Sequence, residues 1–181
     1  SSDLEAKRQK DKFMARIRAI KPEAVEIIDV DELCENGIMW DTAKIPAVVE
    51  KFRRVGIDAL FLPFCDFGEE QVVAQIAGAF KVPTLVWGAR DERPNSDEAR
   101  GRDTQCGMFA ATKVLRRYGV KYSYIWNCET ESDDFAKGYE NFIRVAAVLK
   151  ALKNLRVAKI GERPVPFMSV MTNEADRKSV V

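Results

Sequence analysis

Apolar and polar residues follow two different periods along this chain. Ile45, Val48, Val49 and Phe52 recur every three or four residues, which predicts a helix over 42–55 that Gly56 ends. Val72, Val73, Ile76, Ala77 and Phe80 predict a second amphipathic helix. Phe109, Val114 and Leu115 sit on a third, over 102–118, closed by Gly119. Phe135, Tyr139, Phe142, Ala146, Leu149 and Leu152 predict a long helix over 132–153. Short, dense apolar runs separate these segments, at 24–28, 57–64, 83–87, 122–126 and 156–160. Each has the length of a strand, and continuous apolarity suits a strand buried on both faces. Repeated β-α alternation predicts an α/β fold: a Rossmann-like or flavodoxin-like parallel sheet of about five strands with helices on both faces.

The ends break this pattern. Residues 2–20 predict a helix with a capping box from Ser2 to Glu5 and an apolar stripe of Phe13, Ile17 and Ile20. No strand stands before it, although a βα unit supplies one. Residues 167–171 form a further strand-like run with no helix after it. The expected organisation is a domain over 1–165, with 166–181 as the start of a truncated second domain or a tail.

Composition narrows the function classes. The 181 residues are 46% hydrophobic and 31% charged, which is a globular composition for about one domain. The net charge of +1 gives no reason to expect nucleic acid or an anionic membrane as partner. No apolar run approaches the ~20 residues that span a bilayer and no signal peptide opens the chain, so a cytoplasmic protein is expected. The absence of histidine excludes Ser-His-Asp and Cys-His catalysis and any imidazole metal site within these residues. Cys34, Cys65, Cys106 and Cys128 form no CxxC pair, so they read as thiols of a reducing compartment.

Ligands of open α/β sheets bind beyond the carboxyl ends of the strands. The loops there carry neither GxGxxG nor GxxxxGK[ST], so dinucleotides and nucleoside triphosphates lack their motifs. Asp66 and Glu70 open a helix and suit a cation or sugar hydroxyls; helix capping by Asp66 explains them as well. Trp87 either stacks on a sugar ring or packs at the top of the sheet. Gly88 lets the chain turn sharply. Arg90 and Asp91 are the following charged residues, with a solvated pair as the alternative. Arg100 and Arg102 flank a helix N-terminus that suits an anion; the alternative has Asp103 or Thr104 as cap and the arginines in water. Gln105 and Cys106 stand beside Gly107, which permits close approach of another backbone. Arg163 suits either a ligand oxygen or an interdomain ion pair.

Several strings in order resemble one family. They are Asp58-Ala59-Leu60-Phe61-Leu62-Pro63 with Phe67-Gly68-Glu69, Leu85-Val86-Trp87-Gly88 with Asp91, and Gly101-Arg102-Asp103-Thr104-Gln105-Cys106-Gly107. Phe142-Ile143-Arg144-Val145, Gly161-Glu162-Arg163-Pro164 and Asn173-Glu174 follow. The set is similar to the N-terminal domain of L-fucose/L-arabinose isomerase-like proteins. That resemblance implies a domain fragment of a metal-dependent aldose–ketose isomerase. The fragment lines part of the monosaccharide pocket and an oligomer interface, with Trp87, Asp91, Arg102, Gln105 and Arg163 as the substrate-facing candidates. No catalytic residue is carried over to this chain. The resemblance places manganese in later domains, so no cofactor is expected here. The alternative is a stand-alone sugar-binding or assembly module without catalysis.

Overall fold

A computed structural model describes residues 2–20, 25–93 and 102–156. The elements are α1 (Ser2–Ile20), α2 (Ile45–Val55), β1 (Leu60–Phe64), α3 (Glu70–Gly78), β2 (Thr84–Gly88), α4 (Thr104–Arg117), β3 (Ser123–Tyr124) and α5 (Asp133–Lys153). Local chemistry explains their limits. Pro46 opens α2, where its missing N–H costs nothing. Gly56 ends α2 in the left-handed region (φ 73°), and its N–H bonds back to Phe52 and Arg53. The Ser132 hydroxyl caps α5 on the Phe135 N–H, with Asp133 and Asp134 in the first turn and Lys150 and Lys153 in the last.

The three strands run parallel in the order β1-β2-β3, with Leu60 opposite Thr84 and Leu85 opposite Ser123. Side-chain alternation divides the interior in two. Leu60, Leu62, Phe64 and Val86 pack with α2, α3 and α4, through Val48, Phe52, Val72, Ile76, Ala111 and Leu115. Phe61, Leu85 and Trp87 pack with α1 and α5, through Phe13, Ile17, Phe135, Tyr139 and Phe142. Helices therefore cover both faces, and α1 presents the apolar stripe its sequence predicts.

The sheet departs from the expected five strands: three are present among the described residues. Residues 25–28 have a strand's apolar pattern but pair with no strand among the described residues. The run at 122–126 shortens to Ser123–Tyr124, the last strand of the order among the described residues. The run expected at 156–160 lies outside the described residues from 157 onward, as do the boundary near 165, the run at 167–171 and the Ser2 side chain of the capping box. No helix among the described residues is long and apolar enough to cross a membrane.

Candidate functional site

The carboxyl ends of β1, β2 and β3 meet the first turn of α4, and four polar side chains bind these pieces together. Asp91 follows β2. Its Oδ1 accepts from the Thr104 N–H (3.2 Å) and the Thr104 hydroxyl (2.9 Å), and its Oδ2 accepts from the Gln105 N–H (3.5 Å). Asp91 thus caps α4 from a different loop, satisfying donors that a helix leaves orphaned. Asp103, at the formal cap position, makes no side-chain capping bond. The Thr104 hydroxyl also lies 2.6 Å from the Ala89 carbonyl. Asn127, beyond β3, donates from Nδ2 to the Gly88 carbonyl (3.0 Å), the Ala89 carbonyl (3.2 Å) and Thr104 Oγ1 (3.2 Å).

Arg102 is the fourth. Its side chain is fully buried. Nε and Nη2 donate to the two Glu92 oxygens (3.2 and 2.9 Å), Nη2 also donates to the Arg90 carbonyl (2.9 Å), and Nη1 donates to the Cys65 carbonyl (3.2 Å). This is a planar fork on a carboxylate, which arginine alone provides. Burial alone raises the Glu92 pKa, but the bonds from Arg102 and the main chain outweigh it and hold the carboxyl below its usual range. Burial pushes the adjoining Cys65 thiol up to about 12.

Two glycines make this convergence possible. A Cβ on Gly107 would stand 1.9 Å from the Phe67 carbonyl oxygen, so the α4 backbone lies directly on the loop after β1. This is the close backbone approach its sequence context predicts. A Cβ on Gly88 would stand 2.7 Å from Met108 Sδ. Gly88 has no positive φ, so crowding by α4, not a sharp turn, accounts for it.

The substrate-facing candidates fall in different places. Trp87 has no exposed surface: its ring lies 4.4 Å from Phe135 and 6.1 Å from Phe13, and Nε1–H donates to Cys128 Sγ (3.4 Å). It is a core residue, because Phe13 of α1 and Phe135 of α5 pack against the ring. Asp91 and Arg102 come together as structural ties, neither a solvated pair nor an arginine in water. Gln105 is exposed on the first turn of α4, and Arg163 lies outside the described residues. Asp66 accepts from the Phe67 N–H (2.8 Å), while Glu69, not Asp66, caps α3 through the Gln71 N–H (3.2 Å). Glu70 sits in the first turn of α3. Sequence reasoning places Asn127 at the start of a strand-end loop but assigns it no role; its signal is a polar residue directly after an apolar strand.

Manganese does not fit these residues. The strand-end carboxylates Asp91 and Glu92 are engaged by backbone N–H groups and a guanidinium. Among the described residues no group of three or more Asp, Glu, Cys or His is placed to hold a metal. The side chains that face solvent on these loops include Phe67, Glu69, Arg90, Gln105, Trp126 and Glu129. They suit contact with a polar ligand or a second chain.

Residues 2–153 match the family described as fucose/sulfoquinovose isomerase, N-terminal domain. The chain is also similar to the sulfoquinovose isomerases of Priestia aryabhattai and Priestia megaterium (strain ATCC 12872 / QMB1551). It is 22% identical to each over 149 residues, covering 82% of this chain and 33% of each relative. The chain thus spans about a third of the length of these curated relatives. No solved structure matches it significantly.

Proposed function

Because the chain belongs to the fucose/sulfoquinovose isomerase N-terminal domain family over residues 2–153, we propose that it is the pocket-wall and assembly domain of an aldose–ketose isomerase. The family match is the observation that carries this reading, and the strand-end geometry agrees with it. The loops after β1, β2 and β3 are tied into one rim by Arg102, Asp91, Thr104 and Asn127. A rim fixed in this way orients a ligand at low entropic cost. Arg90 and Gln105 lie exposed on it, where they offer hydrogen-bond donors to sugar oxygens. Proton transfer between neighbouring sugar carbons needs an acid and a base within hydrogen-bond reach of the substrate. Those groups belong to polypeptide beyond the described residues. Asp91 and Arg102 act as positioning residues that hold the rim, and Trp87 holds the sheet beneath it. Solvent-facing apolar residues on α5 also support an oligomer contact. The substrate class is a monosaccharide; the two relatives direct attention to sulfoquinovose and the family description adds fucose.

The test is ketose formation from L-fucose and from sulfoquinovose, followed by NMR, with the whole gene product and with the 181-residue chain. Turnover by the whole product and none by the 181 residues supports the proposal. An Arg90→Ala or Gln105→Ala change in the whole product is expected to raise KM several-fold with the melting temperature unchanged. Binding without turnover by the whole product overturns the isomerase reading in favour of a sugar-binding module.

A further inference from the structure

Among the described residues, Asn36 alone combines a side chain with a positive φ (55°). Gly37, next to it, has φ 64°. They are the central residues of a tight turn, which the Ile38 N–H closes on the Glu35 carbonyl (3.1 Å). The Gly37 N–H adds a bond to the Cys34 carbonyl (2.9 Å). Left-handed backbone at both central positions selects Asn-Gly: glycine lacks the Cβ that clashes there, and asparagine is among the side-chain residues that tolerate it best. The fold thus accounts for this dipeptide, which occurs once in the 181 residues.

The same dipeptide is chemically reactive. The main-chain nitrogen after an asparagine can attack the asparagine Cγ, and glycine, with no side chain, obstructs that approach least. Here the Gly37 nitrogen would bond to Asn36 Cγ and the Cγ–Nδ2 bond would break. Ammonia leaves with the proton that the Gly37 N–H gave up. The five-membered succinimide then adds water. Addition at Cγ gives aspartate; addition at the Asn36 main-chain carbon gives isoaspartate, whose chain runs through Cβ and Cγ. Nothing is oxidised or reduced, and water is the one co-reactant. Asn36 is exposed, so water reaches it.

The turn opposes the first step. At ψ 13° the Gly37 nitrogen lies on the far side of the Cα–C bond from the Asn36 Cβ. Ring closure needs rotation about that bond, which breaks both main-chain hydrogen bonds. A third restraint comes from α1. Lys10 is buried, and its ammonium pairs with Asp31. A Cβ on Gly37 would overlap both Lys10 Nζ and Asp31 Oδ1, so the ion pair lies directly against the Gly37 Cα. Gly37 cannot swing toward that side until the pair yields.

We propose that Asn36 is a site of spontaneous deamidation, gated by the Lys10–Asp31 pair that closes over Gly37. The product carries a new carboxylate. Isoaspartate also lengthens the main chain by one methylene, so the turn cannot re-form with both of its bonds. The turn and the loop after β1, Asp66 to Glu69, line one cleft of about 980 Å³. The added charge therefore falls on the same cleft as that loop.

Incubation of the 181-residue chain beside a peptide of residues 30–42, at neutral pH and physiological temperature, tests this. Tandem mass spectrometry follows the gain of one mass unit at Asn36, and an isoaspartyl methyltransferase labels the isoaspartate. The folded chain is expected to react about tenfold more slowly than the peptide, the worth of the two main-chain hydrogen bonds that must break first. Lys10→Met keeps the buried stem and removes the ammonium; Asp31→Asn alters an exposed side chain. Each is expected to raise the rate in the folded chain at least threefold, with the circular dichroism unchanged. A chain that shows no mass gain after the peptide is fully converted overturns the proposal, and so does a chain as fast as the peptide. Rates in both variants equal to that of the parent chain overturn the gate and the proposal with it.

Discussion

Trp87 and Arg102 show how burial decides what a conspicuous residue does. A tryptophan after a strand has the right surface for a sugar ring, yet here Phe13, Phe61 and Phe135 surround the indole and leave it no exposed area. Trp87→Ala is expected to destabilise the domain by about 3–5 kcal/mol, read by urea denaturation. Arg102 likewise spends its donors on Glu92 and two carbonyls, so Arg102→Lys is expected to lose about 2–3 kcal/mol, because an ammonium cannot bridge the fork. Equal midpoints for Lys and Arg would show that the fork is not what holds the rim. Cys65 follows the same logic. With its pKa near 12, only about one molecule in 10⁴ is thiolate at pH 8. Iodoacetamide should alkylate the half-buried Cys106 long before Cys65, as mass spectrometry of the digested protein would record. The positions of Asp91, Arg102 and Gln105 were legible in the sequence as strand-end or helix-start residues. Their partners were not: Asp91 meets Thr104 thirteen residues away and Asn127 meets Gly88 across thirty-nine, contacts that only the packed strands create.

At the scale of elements, α4 is held by what its neighbours lend it. The carboxylate that caps it comes from the loop after β2, and its close seat on the loop after β1 depends on the missing Cβ of Gly107. Gly107→Ala is expected to cost about 3 kcal/mol or more, since the obstruction is a backbone carbonyl that cannot rotate away. The Glu92–Arg102 pair adds a pH dependence. The Glu92 pKa is lower in the folded state than its ordinary value of 4.5, so its contribution is complete above that value and is lost as the pH falls through the folded pKa. Thermal stability should fall on acidification below pH 4.5, and Glu92→Gln should flatten part of that fall. Helix positions were readable because their 3.6-residue periods are local. Strand pairing was not: residues 25–28 carry a strand's composition but pair with no strand among the described residues, and β3 keeps two paired residues of an apolar run of five.

For the molecule as a whole, α5 carries more apolar surface than the two cores use. Val145, Val148, Leu149 and Leu152 are 41–58% exposed, and Tyr124 and Trp126, in and just after β3, are more than 60% exposed. Exposed apolar expanses are common on association surfaces, and the proposed oligomer contact is tested there. Sedimentation of the 181-residue chain should show concentration-dependent association, and Val148→Glu with Leu152→Glu should abolish it while leaving the fold intact. The α/β class was legible from the alternation of elements; the number of strands depended on which runs find a partner. One consequence concerns the stem that Glu92 and Arg102 make. Two hydrogen bonds, at 2.9 and 3.2 Å, join residues ten positions apart. The pair therefore works as a clasp: a single cut of the main chain between Glu92 and Arg102 would leave both new ends fastened to the rim, so loss of covalent continuity there would not by itself release α4 from the sheet.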